Sequence, residues 1–460
     1  PNIFNVFDLD DTKKRAEKVG WHDQTQSIFA SVEVGWKQML YLTVTGRNDW
    51  ASQLANSPES SFFYPSVGLS WVPTATFNMP DAISYLKIRG SIASVGLPFP
   101  RFLTTPTYEY DATGKIWKDK THYPIGDLKP ERTITYEVGI DARLWKNISL
   151  SASWYSADTK NQTFDPALPP SSSYTTIYLQ TGHVRNTGVE LSLGYSNQWR
   201  DFGWSSNFTF SWNKNEIIDL ASGALNPVTG QPLNLSELDI KGLGKAKYIL
   251  KQGGTLGDLY TTSDLKFNDN GYVEVDKAGN LLLTDEGDQI YLGSVFPSEN
   301  LAWRNDFRYK GVNLGLLFTG RIGGICYSAT QANMDLYGVS EVSAAARDAG
   351  GVLINGREMV DAQKWYQAIG SQSGLPQYYT YSATNFRLQE LSLGYTLPRK
   401  WFRNKMGLTV SFVGRNLWMI YCKAPFDPEA VASTGLSYQG IDYFMMPSLR
   451  SLGFNVKFEF

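Results

Sequence analysis

Ser451-Leu452-Gly453-Phe454-Asn455-Val456-Lys457-Phe458-Glu459-Phe460 alternates without a break. Leu452, Phe454, Val456, Phe458 and Phe460 fall on one face of an extended chain, and Ser451, Gly453, Asn455, Lys457 and Glu459 on the other. A period of two is the mark of a β-strand with one apolar and one wet face. Met406, Leu408, Val410 and Phe412 repeat the pattern against Gly407, Thr409, Ser411 and Arg415, and Phe208, Phe210 and Trp212 repeat it against Asn207, Thr209 and Ser211. The periodicity predicts about thirteen strands. Their spans are 25–36, 37–50, 61–73, 84–96, 131–145, 146–160, 186–198, 202–217, 299–310, 311–323, 384–397, 405–420 and 448–460.

Three features separate a membrane barrel from a soluble sandwich. The strands are long, roughly 10–14 residues where soluble strands average about 5–6, which is the length a tilted strand needs to cross a bilayer. The connections alternate between tight turns and long loops. Gly35–Gln38, Trp145–Asn147, Gln198–Phe202 and Tyr309–Val312 are short, whereas 97–130, 161–185, 218–298, 324–383 and 421–447 are long. Outer-membrane barrels place short turns at the periplasm and longer loops outside.

The third feature is charge phase. Glu33, Arg47, Lys87, Arg89, Glu137, Asp141, Arg143, Glu190, Arg304, Asp306, Arg308, Arg321, Glu390, Arg415, Lys457 and Glu459 all lie on the face opposite the apolar residues. A lipid-facing charge near the midplane costs about 2–4 kcal/mol, and a wet lumen tolerates it. Arg387 is the one exception, on the apolar phase near the outer end of its strand. Ile134, Tyr136, Val138 and Ile140 are expected to face lipid, and Trp36, Trp71, Trp154, Trp212 and Tyr395 to form bands at the two interfaces.

Composition removes other classes. A net charge of −2 gives no electrostatic case for nucleic acid. No apolar run reaches the ~18 residues of a membrane helix. Two cysteines, Cys326 and Cys422, make no disulfide framework, and the sequence leaves open whether they are bridged. The three histidines, His22, His122 and His183, are far apart in sequence. No nucleophile elbow, HExxH or phosphate loop is present, and "GLGKAK" at 242–247 lacks the Walker spacing. A passive porin-like channel and an outer-membrane barrel enzyme are the competing functions. Pro1 opens without Met or a signal peptide, inside what reads as a loop, so the sequence is read as part of a longer protein.

Several blocks carry a family likeness. "SATNFRLQELSLGYTLPRKW" has Phe386-Arg387-Leu388 before a strand closing with Gly394, Tyr395, Leu397 and Pro398. "GLTVSFVGRNLWMI" and "FDPEA" contribute Gly414, Asn416, Leu417, Asp427, Pro428 and Glu429, and "VRNTGVELSLGY" contributes Asn186, Gly188, Val189 and Glu190. "LKPERTITYEVGID", "LYLTVTGRNDW" (ending Arg47, Asn48, Asp49, Trp50) and "FFYPSVGLSW" complete the set. Together they resemble the C-terminal part of the barrel of SusC/RagA-type TonB-dependent outer-membrane transporters of Gram-negative bacteria.

The resemblance implies a barrel of about 22 strands with a plug in its lumen. It also implies a TonB-contacting segment outside this sequence, a SusD-type surface lipoprotein over the outer mouth, and an oligosaccharide or oligopeptide cargo, with no enzymatic activity. An odd count of thirteen makes the first and last strands run the same way, so 25–36 and 448–460 are expected not to pair with each other.

Candidate contact residues for cargo or lid are the loop aromatics: Tyr108, Tyr110, Trp117, His122 and Tyr123 in one cluster, Tyr174 and Tyr178 in another. Such rings stack on sugar faces or apolar peptide side chains. No catalytic residue, cofactor or metal ligand is assigned. Asp264, Asn268, Asp269, Asn270 and Glu274, with Asp285, Glu286 and Asp288, form an oxygen-rich loop that could take calcium. Its spacing is not that of an Asp-x-Asp-x-Asp-Gly loop, and a solvated hairpin is the competing reading.

Overall fold

A computed structural model describes residues 22–104, 109–111, 115–118, 122–123, 128–164, 176–220, 231, 235–285, 287, 289–433, 435 and 438–460. Thirteen strands form one sheet whose spatial order follows the chain. They are β1 (Thr25–Trp36), β2 (Leu40–Ala51), β3 (Ser61–Trp71), β4 (Ile83–Leu97), β5 (Glu131–Leu144), β6 (Ile148–Phe164), β7 (Leu179–Trp199), β8 (Phe202–Asp219), β9 (Glu299–Tyr309), β10 (Val312–Ile322), β11 (Asn385–Leu397), β12 (Gly407–Cys422) and β13 (Ser451–Glu459). Every neighbouring pair is antiparallel. Among the described residues no ladder joins β1 to β13, as the odd strand count requires. No described helix is long and apolar enough to cross a membrane; the strands do the crossing.

The register fixes which residues share a face, because directly opposed residues in an antiparallel pair point to the same side. One such line runs Ile92, Tyr136, Ser156, Thr187 and Lys214, and another runs Gly90, Val138, Trp154, Val189 and Trp212. Tyr136, Val138, Trp154 and Val189 are exposed on this outward face. The intervening row carries Glu137 and Asp141, which meet Arg89 on the lumenal side. Trp154 and Trp212 thus share one outward row, but it crosses the middle of β6 and β8 and not their ends, so these two do not mark an interface band. Trp36, Trp71 and Tyr395 lie beside the tight-turn ends of β1, β3 and β11.

The turns are tight because two successive residues adopt positive φ: Lys37 and Gln38, Trp145 and Lys146, Lys310 and Gly311. That backbone matches the right-handed strand twist. The outer ends differ from expectation. β6 and β7 run on to Phe164 and back to Leu179. Register shifts at Gln180/Gly182 and Gly182/Val184 break the alternation there and hide the extension from a periodicity reading.

The long outer segments fold into a second region. Residues 237–243, 246–251, 258–261 and 290–294 form a four-stranded sheet, and 325–328 pairs with 380–382 and 441–442. Three short helices follow: α1 (Ala329–Leu336), α2 (Glu341–Asp348) and α3 (Ala362–Ile369). Ser328, Ser340 and Asp361 cap them by accepting from Gln331, Ser343 and Gln363 amides. Leu250, Leu259, Tyr327, Leu375 and Ile441 are buried in its core. Phe164, Val184 and Ile217 from the outer ends of the wall join the same core.

Candidate functional site: the outer mouth

The mouth is built where the wall meets the loop region. Asn215, on the lumenal row of β8, accepts from the Leu256 amide at 2.9 Å. Ile217 exchanges backbone hydrogen bonds with 253–254: Gly253 N–H donates to Ile217 O, and Ile217 N–H donates to Gly254 O, each at 2.8 Å. Loop 253–256 is thereby fastened to the inside of the wall. A second fastening below it explains the Asn-x-Gly-Val-Glu block. Asn186 Oδ1 accepts from Asn215 Nδ2 at 3.0 Å. Tyr155 reaches across β7 to donate to Asn213 Oδ1 at 3.0 Å. It crosses at Gly188, where a Cβ would sit 2.5 Å from the Tyr155 hydroxyl. Tyr248 ties the loop sheet to 439 by donating to the Gln439 carbonyl.

Arg387 corrects a reading made from alternation. Leu317 faces Glu390 while Phe318 faces Leu388, so Gln389 is an inserted residue. This bulge flips the strand beyond it. Arg387 therefore leaves the apolar face and sits opposite Thr319 on the lumenal row. It is 4% exposed and makes a two-pronged contact with Asp427, Nη2 donating to Oδ1 at 2.9 Å and Nη1 to Oδ2 at 3.1 Å. Glu429 lies 3.2 Å away, and Asn385 Oδ1 accepts from Nε at 3.2 Å. Ser448 donates to Asp427 at 2.5 Å, and Asn416 donates to Ser448 at 3.1 Å. The Phe-Arg-Leu and Phe-Asp-Pro-Glu-Ala blocks are thus two halves of one knot that pins segment 423–448 to β11. Burial alone would raise the Asp427 carboxyl. Hydrogen bonds from Arg387, Ser448 and the Glu429 amide outweigh it and hold the group below the usual carboxylate range.

The loop aromatics are only partly described. Tyr108 and Tyr174 lie outside the described residues. Tyr110 stands opposite Trp117 in a hairpin of 109–111 and 116–118, and Trp117 is exposed. His122 and Tyr123 pair in parallel with Thr176 and Ile177, so the backbone brings the two clusters into one neighbourhood. Tyr178 packs against a small core of Leu54, Phe99, Leu103 and Leu128.

In the acidic loop, Asn268 and Asp276 close turns. Asn268 Oδ1 accepts from the Asn270 amide at 2.9 Å, and Asp276 Oδ1 from the Ala278 and Asn280 amides at 2.8 Å. Asp264 accepts from Gln377 at 2.8 Å, and Glu274 pairs with Lys266 at 3.2 Å. Glu286 and Asp288 lie outside the described residues. Among the described residues no three carboxylate, imidazole or thiol side chains come together as a metal site. Cys326 and Cys422 are free thiols. Burial pushes the Cys326 thiol up to about 12, so it is not a thiolate at neutral pH.

Sequence reasoning missed a further group on the loop sheet. Asp258 is buried and accepts from Thr255 Oγ1 at 2.6 Å and from Tyr291 at 3.3 Å. Tyr291 is half-exposed and packs on Tyr260 with ring centroids 5.1 Å apart. Burial, and then Asp258, push its phenol up to about 12. No spacing signal marks this group, because its members come from two separate strands and a turn.

Below the mouth the lumenal wall carries ion pairs. Arg304 joins Asp306 at 2.9 Å and Glu390 at 3.5 Å, and Arg415 joins Glu390 at 3.1 Å. A wall that is apolar outside, charged inside and roofed by folded loops is the wall of an outer-membrane β-barrel. Residues 4–417 match the family model described as "TonB dependent receptor-like, beta-barrel", and the chain belongs to that family.

Its relatives include TonB-dependent receptor P3 of Formosa agariphila, 25% identical over 94% of this chain and 45% of that protein. TonB-dependent receptor SusC of Bacteroides thetaiotaomicron is 20% identical over 72% of this chain and 32% of its own length. The RagAB peptide importer in its closed-closed state shares the fold, with TM-score 0.70 and 19% identity, over 94% of this chain and 47% of that one. These similarities agree with the SusC/RagA resemblance of the sequence blocks. The chain spans about half the length of the receptor P3 it matches.

Proposed function

We propose that this chain forms half of the lumenal wall, and part of the outer mouth, of a TonB-dependent importer in the outer membrane. It works with a SusD-type surface lipoprotein, takes up oligosaccharides or oligopeptides, and is driven by TonB through a part of the protein outside this sequence. The observation that carries the reading is the fastening of the folded outer loops to the lumenal face of the strands at Asn215 and Ile217. That arrangement makes a fixed, structured entrance above a charged lumen, which suits selective capture better than free diffusion. Tyr108, Tyr110, Trp117, His122, Tyr123, Tyr174 and Tyr178 are assigned to contacts with cargo or lid at this entrance. The remaining strands of the full-length protein pair with β1 and β13 and complete the barrel.

The test is deletion of 105–122 in the full-length protein. Reduced co-purification of the lipoprotein, or reduced uptake of labelled oligosaccharide or peptide, is expected while heat-modifiable migration shows an assembled barrel. Unchanged complex formation together with unchanged uptake overturns the assignment of these aromatics. Uptake that persists without TonB would instead make the barrel a passive channel.

A further inference from the structure

The outward face of the wall changes character abruptly above the row of Trp154 and Trp212. On β8 the outward residue after Trp212 is Lys214, and on β6 the outward series beyond Trp154 is Ser156, Asp158 and Lys160. The register sets Arg185 of β7 opposite both Asp158 and Glu216, and sets Arg132 of β5 directly opposite Lys160. All of these lie on the face that carries Val138 and Trp154 lower down, not on the lumenal row. Arg185 is neutralised by Asp158 at 2.9 Å and Lys214 by Glu216 at 2.6 Å. Arg132 and Lys160 are different. Arg132 donates to Ser94 Oγ at 3.0 Å, and Lys160 has no ion-pair partner among the described residues. Both are exposed.

Like charges directly opposed across an antiparallel pair repel. An anion held between them removes the repulsion, and the guanidinium adds forked donors suited to a phosphate. The position of the pair decides which anion. It is on the lipid side of the wall, twelve residues along β6 from Ile148 and so past the ~9–11 residues that a tilted strand needs to cross the bilayer, where the headgroups of the outer leaflet lie. A soluble cargo passing through the lumen does not reach this face. We infer that Arg132 and Lys160 bind the phosphorylated headgroup of an outer-leaflet glycolipid and fix the height of this wall in the membrane.

The experiment uses the full-length protein in detergent, titrated with bisphosphorylated lipid A and read by native mass spectrometry. The double variant Arg132→Gln/Lys160→Gln is expected to bind at least tenfold more weakly than wild type. Wild type is expected to bind fully dephosphorylated lipid A as weakly as the variant binds the phosphorylated form. Lys160→Arg, which keeps the charge, should retain binding. Lys277→Gln/Lys310→Gln removes the same number of charges elsewhere and should bind as wild type does. Heat-modifiable migration confirms that each variant is assembled. Equal affinity of the double variant and wild type, or equal weakening in the control variant, overturns the proposal. Complete displacement by millimolar inorganic phosphate would assign the pair to a soluble anion and overturn the lipid reading.

Discussion

The wall and the outer loop region use the same residue types in opposite ways. On the wall, Val138 and Leu393 are large, apolar and exposed, at 55% and 50%. In the loop region Leu259, Tyr327 and Leu375 are fully buried. The difference follows from the solvent. Lipid tails are as apolar as the side chains, so the wall gains nothing by hiding them, and it holds together through backbone ladders that leave no unsatisfied amide in hydrocarbon. The loop region stands in water and must bury apolar area to pay for its ordering. One chain thus carries a sheet stabilised by hydrogen bonds beside a water-soluble fold stabilised by its core, and the two meet at Asn215, Ile217 and Arg387.

The sharpest way to break this contrast is at the Arg387 knot. Removing one partner of a buried ion pair strands the other charge, at a cost of about 3–5 kcal/mol. Arg387→Ala should therefore release segment 423–448 to protease while the ladders of β11 and β12 persist, as read by limited proteolysis and far-UV circular dichroism. A loss of the barrel itself would mean that the two regions are not separable.

Next in size is the core. Leu259→Ala should cost roughly 2–5 kcal/mol of loop-region stability. Val138→Ala in the wall leaves no cavity, because lipid fills the space, and should shift the unfolding midpoint far less. Equal shifts would deny that the regions bury apolar surface differently. Gly188→Ala comes third. Its Cβ would meet the Tyr155 hydroxyl at 2.5 Å and the Trp212 carbonyl at 2.6 Å, which are shorter than any stable contact. Overpacking of this sort costs about 1–3 kcal/mol. The Tyr155→Phe/Gly188→Ala double variant should recover only the part due to the hydroxyl, since the ring Cζ, also 2.6 Å from the added Cβ, and the Trp212 carbonyl remain.

The smallest effect is with pH. The Asp427 carboxyl is held below its ordinary value, so its contribution is present above the unfolded value, about 4, and is lost as pH falls through the folded value. Protease resistance of 423–448 should hold at pH 5 and fall only below about pH 4. Asp427→Asn should abolish that step.

Most of the wall was legible in the sequence because a period of two survives wherever one face meets lipid. Thirteen strands, the lumenal charges and the unpaired ends followed from alternation and strand parity. It failed where the backbone departs from the period. The bulge at Gln389 moved Arg387 to the lumenal face, and the shifts around Gly182 concealed the start of β7. The mouth was far less legible. Asn215 with Leu256, Arg387 with Asp427 and Asp258 with Tyr291 are contacts across 41, 40 and 33 residues, and no local pattern encodes them. The family blocks did mark Arg387, Asp427 and Gly188, without saying that two of them touch.

The two faces of the wall meet two solvents, and β5 tests this most directly. Single spin labels at each position from 134 to 141, in full-length protein with Cys326 and Cys422 replaced by Ser and reconstituted in vesicles, report access to oxygen from lipid and to a nickel chelate from water. Labels at Ile134, Tyr136, Val138 and Ile140 should be relaxed by oxygen, and those at Thr135, Glu137, Gly139 and Asp141 by the chelate, alternating at every step. Chelate access at Val138 with oxygen access at Glu137, or no alternation at all, would contradict a lipid-facing apolar row and with it the membrane barrel.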